Sequence, residues 1–196
     1  MNIGVDFDGV LFDTESMFRA LSQIENVKIG GKVVDSEQLR LQKRYNWTKQ
    51  QIDEFMSKNM LKVHNKAPIM PYAKQVLKFL SKNHRIYAIT SRGMLDERDI
   101  EFTNQRLKDE SIEFDKVVYC ASDKLKVCRE LQIDLMIDDL YDTVIQLAEN
   151  GIKCLYYRDI VLKFCNHKNV VEVRDWGDIF VELVKIGLIN IDDMQL

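Results

Sequence analysis

Val5-Asp6-Phe7-Asp8-Gly9-Val10-Leu11 decides how the rest of this chain is read. Asn2 to Phe7 is a short, mostly apolar run that closes on acids and then breaks at Gly9, the pattern of a buried strand stopping at a polar edge. Comparable runs recur at Arg85 to Thr90, Lys116 to Cys120, Asp134 to Ile137 and Ile152 to Tyr157, with helical patterns between them. The clearest helix carries Ala73, Val76, Leu77 and Leu80 at i, i+3, i+4 and i+7, so one face is apolar while Lys74, Lys78 and Lys82 point away. Another, Asp142 to Asn150, stops at Gly151. Asn169 to Leu188 reads as a last strand and an amphipathic helix, after which the final residues are expected to fray. This alternation predicts an α/β fold: a doubly wound, mainly parallel, Rossmann-like sheet with right-handed crossovers and helices on both faces.

One stretch breaks the rhythm. Residues 16–66 offer two polar-rich helical patterns, Ser36 to Tyr45 and Thr48 to Leu61, and no convincing buried strand, which predicts a helical cap inserted between core segments 1–15 and 67–196. Gly30-Gly31 marks a turn within it, and Pro68 and Pro71 mark the return to the core. About 80 residues separate Asp8 from Thr90 but only about 34 separate Thr90 from Lys124, so the spacing leaves room for a cap after the first strand and none later. There is no internal repeat and no low-complexity segment.

The sequence has 196 residues, 46% of them hydrophobic and 30% charged, which is ordinary for a globular protein with a sizeable core. A net charge of −3, with both signs mixed along the chain, leaves no basic face for a nucleic-acid polymer. No stretch approaches the ~20 apolar residues of a membrane span, and MNIGVDFDG runs straight into a strand, so a cytoplasmic protein with no membrane partner is expected. Cys120, Cys128, Cys154 and Cys165 lack C-x-x-C spacing and the three histidines are far apart, a pattern of buried reduced thiols and surface imidazoles. Oligomeric state is open.

In an open parallel sheet, ligands bind beyond the carboxyl ends of the strands. The first strand here ends in Asp6-Phe7-Asp8-Gly9, the second in Thr90-Ser91-Arg92, the third leads through Ser122-Asp123 to Lys124, and the fourth ends in Asp138-Asp139. These groups suit phosphoryl transfer. Asp6 can attack phosphorus and form an aspartyl phosphate, splitting one hard displacement into two easier ones. Asp6, Asp138 and the Asp8 carbonyl supply hard oxygen ligands for one magnesium ion (Mg2+). Lys124 adds a fixed positive charge, and Thr90 a hydrogen bond to an equatorial oxygen. Asp8 can protonate the leaving oxygen and then activate water, while Gly9 lets the backbone approach the phosphate. Ser91 and Arg92 are further candidate substrate contacts, and Lys126 is the fallback for the lysine role. Singly, each is also a plausible cap, turn or surface residue. Their order is what caps alone do not produce.

VDFDGVL, YAITSR, the lysine of SDK and LMIDD resemble, in order and context, the four motifs of haloacid-dehalogenase-like hydrolases, covering the core from Asn2 to about Tyr157. The resemblance implies the same roles for Asp6, Asp8, Thr90, Lys124 and Asp138, and puts Asp139 behind the metal ligands, orienting metal-bound water or Lys124. Within the superfamily, DGVL, Thr90-Ser91, the short spacing from SDK to LMIDD and the late RDW look most like the cytosolic 5′(3′)-deoxyribonucleotidase type, although those nucleotidases carry another residue where Arg92 stands.

The expected substrate is a small phosphate monoester, with a nucleoside monophosphate ahead of a sugar phosphate, and Phe12, Phe18, Tyr45 and Trp47 are available to stack on a base or to pack the cap. A sugar-phosphate phosphatase or mutase differs only through the cap, and a dehalogenase would not need Asp8. A receiver-like signalling module uses similar groups, but there the acid pair comes first and the phospho-accepting aspartate later, the reverse of this order. A catalytically dead binding domain conflicts with every catalytic position being filled.

Overall fold

The computed structural model describes residues 1–158 and 164–191. The strands are β1 (Asn2–Val5), β2 (Arg85–Ile89), β3 (Lys116–Val118), β4 (Leu135–Asp138), β5 (Lys153–Tyr157) and β6 (Val170–Val173). All five pairings are parallel, in the order β3-β2-β1-β4-β5-β6. The expected doubly wound sheet is therefore present. A receiver's order, 2-1-3-4-5, is a different one. Because the chain builds outward from β1 to β3 and then returns to lay β4 on the other side of β1, the winding reverses between β1 and β4. That reversal opens the crevice where open α/β sheets bind ligands.

Side-chain alternation explains why the sheet is buried on both faces. Ile3, Val5, Leu135, Ile137, Leu155 and Tyr157 join one core, beneath α4 (Ala73–Leu80) and α8 (Trp176–Lys185). Met136, Cys154 and Tyr156 join the other, beneath α6 (Lys124–Glu130) and α7 (Tyr141–Glu149). The late RDW segment is structural: Asp175 caps α8 by accepting from the Asp178 amide, and buried Trp176 donates from Nε1 to the Val10 carbonyl at 2.8 Å, holding the loop after β1.

Between β1 and α4 lie α1 (Thr14–Lys28), α2 (Leu41–Arg44) and α3 (Lys49–Lys66). Leu41, Tyr45, Trp47 and Phe55 form a small apolar cluster there, joined by Phe18, Leu21, Ile52 and Met56. The helices differ from those expected. A fifteen-residue α1, begun by Asp13 accepting from the Ser16 amide, occupies a stretch to which neither helical pattern was assigned. Ser36 to Tyr45 contains only the single turn of α2, because the Asp35 carboxylate takes the Glu37 amide and Gln38 side chain, competing locally with a helix. A Thr48–Gln51 capping box starts α3, which runs on to Lys66. The third strand stops at Val118, two residues before Cys120, which has φ +55° and cannot continue it. The last five residues, expected to fray, lie outside the described set. Among the described residues no helix is long and apolar enough to cross a membrane.

Candidate active site

Register carries the first and fourth strand ends to one place. Val5 pairs with Ile137, and the Asp6 amide continues the ladder to the Ile137 carbonyl at 3.0 Å, so Asp6 and Asp138 stand side by side where the winding reverses. Lys124, the first residue of α6, reaches between them: its Nζ lies 2.8 Å from Asp6 Oδ2 and 2.7 Å from Asp138 Oδ2. All three side chains are buried. Asp6 Oδ1 accepts from the Phe7 amide and Asp138 Oδ1 from the Leu140 amide, so both carboxylates are fixed at two points. Lys126, the fallback, points to solvent near Glu130.

Asp139 completes an acidic cluster. One carboxylate oxygen from each of Asp6, Asp138 and Asp139 falls within 4.8 Å of the others. Asp139, expected behind the ligands, thus stands beside Asp6 and Asp138, whereas the Asp8 side chain turns to Arg92. Gly9 makes room for it: a Cβ built there would lie 2.2 Å from Asp139 Oδ2, and Gly9 has φ +77°.

The electrostatics follow from three acids facing one lysine. Burial, more than the neighbouring Asp138 and Asp8, lifts the Asp6 carboxyl to about 7 although Lys124 pulls the other way. Burial and then Asp138 and Asp6 push Asp139 well above the ordinary carboxylate range. For Lys124, burial favours the neutral amine, but Asp138 and Asp6 outweigh it and hold the ammonium charged. Raised acids are ones that hold protons which a bound cation would displace, and the donors of this cluster are hard oxygens. That donor set fits a magnesium ion.

Arg92 points to Asp8 and to the helical segment, and it is not one of the residues lining the cavity. Its side chain is fully buried, with Nη2 2.6 Å from Asp8 Oδ1 and Nε 3.2 and 3.0 Å from the two oxygens. Burial tends to raise the Asp8 carboxyl, yet Arg92 and His64 outweigh it and hold it down at about 2. Thr90 is buried at the end of β2, its Oγ1 accepting from the Arg92 amide at 3.2 Å, and Ser91 is the hydroxyl residue of that pair that reaches the cavity.

A cavity of about 410 Å³ opens over Asp6, Asp8, Gly9, Ser91, Lys124 and Asp139. Phe18, Leu39, Met94 and Leu140 give it an apolar wall, and Glu15, Thr143 and Gln146 a polar one. Of the four aromatics considered for stacking on a base, only Phe18 lines it. Phe12 is enclosed between the guanidinium groups of Arg92 and Arg106, and Tyr45 and Trp47 stack on each other inside the helical segment. The sequence reading missed His64, Asp99 and Thr103, which gather around Arg92. His64 is no surface imidazole, and Cys120 is an exposed thiol, not a buried one.

No family model matches the sequence. A nucleotidase of Clostridium acetobutylicum is 26% identical over 182 residues, 92% of either chain. YqfW of Bacillus subtilis is 22% identical over 178 residues, 90% of either chain. Among solved structures, a haloacid dehalogenase-like family hydrolase of Streptococcus pneumoniae superposes with a TM-score of 0.64 at 16% identity, covering 94% of this chain and 97% of that one. A haloacid dehalogenase-like protein of Agrobacterium tumefaciens gives a TM-score of 0.67 at 10% identity, covering 94% and 98%. Sheet order, motif order and similarity along nearly the whole chain agree, and the protein has the fold of the haloacid dehalogenase-like hydrolases.

Proposed function

We propose that the protein is a magnesium-dependent phosphatase that hydrolyses a small phosphate monoester, a nucleoside monophosphate, through an aspartyl phosphate on Asp6. The observation that carries this reading is the buried Asp6–Lys124–Asp138 arrangement at the sheet's reversal point, opening into the cavity. An Asp6 oxygen attacks phosphorus, and the bond from phosphorus to the ester oxygen breaks with its electron pair leaving on that oxygen. Asp8, ionised at rest beside Arg92, takes up a proton that arrives with the substrate and passes it to that oxygen. Water then attacks the phosphorus of the aspartyl phosphate, Asp8 takes the water's proton, and Asp6 is regenerated as inorganic phosphate leaves. Lys124 keeps a positive charge beside the nucleophile throughout, and Ser91 and the backbone at Gly9 line the space for the phosphoryl oxygens. Magnesium, held by Asp6, Asp138 and Asp139, would offset the charge of the phosphoryl oxygens.

Residues 16–66 serve in this reading as a lid that excludes water, since Phe18 and Leu39 of that segment line the cavity. A cavity of this size with one aromatic wall residue accommodates a nucleoside monophosphate. The nucleotidase relative supports that choice. The test is phosphate release from a panel of nucleoside and sugar monophosphates, with Asp6→Asn as the paired variant. Wild-type turnover with loss of at least about 10³-fold in Asp6→Asn is expected, because no neighbouring group replaces the nucleophile. Substantial turnover by Asp6→Asn overturns the mechanism, and sugar phosphates hydrolysed as well as deoxynucleotides overturn the substrate choice alone.

A further inference from the structure

A second buried charge network sits behind Asp8. Besides its three hydrogen bonds to that carboxylate, Arg92 donates from Nη1 to Thr103 Oγ1 at 3.0 Å and to the His64 carbonyl at 3.3 Å. Arg106 donates to the same carbonyl at 3.2 Å. The His64 ring lies between two acids, with Nδ1 2.7 Å from Asp99 Oδ2 and Nε2 3.8 Å from Asp8 Oδ1. His64 belongs to the last turn of α3, while Asp99, Thr103 and Arg106 belong to α5 (Arg98–Asp109). The Asp8 carboxylate is therefore gripped by one residue after β2 and faced by another from the helical segment. Exposed ion pairs of this kind do little. A buried guanidinium fork is different, because its planar, bidentate geometry fixes the plane of the carboxylate it binds.

We propose that Arg92 and His64 are positioning residues for Asp8. Arg92 sets the plane of the carboxyl group facing the cavity, and by binding the His64 carbonyl it ties that plane to the end of α3. This inference rests on the reading of Asp8 as the group that protonates the leaving oxygen. If the network serves only to pin α3 to α5, its loss weakens every reaction of the site alike.

Leaving-group chemistry separates the two. In 4-nitrophenyl phosphate the oxygen departs as a stable phenolate without a proton, whereas in an alkyl monophosphate it departs as an alkoxide that needs one. The experiment measures kcat/KM for both esters, with magnesium, in the full-length wild type and in Arg92→Lys, His64→Gln, Thr103→Val and Asp8→Asn. General-acid assistance contributes roughly 10²–10⁴-fold, so misaiming Asp8 without removing it should cost about 10- to 100-fold on the alkyl ester and under about 3-fold on the aryl ester. Equal losses on both esters in the three network variants, with Asp8→Asn still discriminating, overturn the positioning role and leave the proposed function standing. No discrimination by Asp8→Asn overturns the assignment of Asp8 as the acid, and this inference with it. Should Arg92→Lys fail to melt cooperatively, His64→Gln and the volume-conserving Thr103→Val decide the matter.

Discussion

Replacing Gly9 by alanine tests how tightly the acidic cluster is built. The conformational part of the cost comes from φ +77°, and an L-residue in the left-handed region costs about 1–2 kcal/mol. Gly30→Ala supplies the control, since Gly30 has φ +65° and no heavy atom within 4 Å of the added Cβ. At Gly9 the same Cβ falls 2.2 Å from Asp139 Oδ2 and 2.8 Å from its Cγ. Either the backbone shifts, adding about 1–3 kcal/mol of overpacking, or the Asp139 carboxyl turns away and leaves Asp6 and Asp138. In the second case magnesium should bind about 10- to 100-fold more weakly, the usual effect of losing a group that supports a metal site. Urea denaturation of wild type, Gly9→Ala and Gly30→Ala, with a magnesium titration of activity, reads both outcomes. If Gly9→Ala matches Gly30→Ala in stability and wild type in magnesium dependence, the packing described for Asp139 is wrong.

Two further predictions concern the scaffold. Trp176→Phe keeps the ring but strips the Val10 carbonyl of its buried donor, so a stability loss of about 1–3 kcal/mol by urea denaturation is expected, with lowered activity because the loop after β1 loses its anchor; unchanged midpoints would refute that. Thiol labelling at pH 8 should modify exposed Cys120 quickly and leave Cys128 and Cys154 untouched until unfolding, because burial pushes the Cys128 thiol up to about 12 and Cys154 higher still. The same shifts set a sign. Below the unfolded thiol value of about 9 both states hold the proton and the contribution to stability is complete; between 9 and about 12 the unfolded chain loses it first, so stability falls as pH rises. Rapid native-state labelling of Cys154 would refute this picture.

The strands were legible because a sheet covered on both faces leaves continuous apolar runs, and β1, β2, β4 and β5 are such runs ending in polar residues. Motif order also brought Asp6, Lys124 and Asp138 to one edge on paper, and register does so in three dimensions. Asp139 was harder. Alternation along a strand would turn it away from Asp138, but β4 ends at Asp138 and the following residue is released from the pleat. Helix α1 was hidden because its inward positions, Met17, Phe18 and Leu21, are few among polar neighbours. Arg92 could not be read at all from its surroundings, since its partners lie 84 residues away at Asp8 and 28 away at His64, and nothing local announces a guanidinium buried to hold an acid.

The bond from Trp176 to Val10 spans 166 residues of chain. During synthesis the segment bearing Asp6 and Asp8 leaves the ribosome long before α8 exists, and domains mature only as their later parts emerge. Helices and early strands can form in the meantime, but the loop that follows β1 acquires its fixing contact from one of the last described elements to be made. Contacts of such sequence separation also form late in refolding, since their loop-closure entropy must be met first. A nascent chain stopped before α8 would display the acidic residues of the site without the contact that fixes the loop after β1, so the site is completed only once α8 has been made.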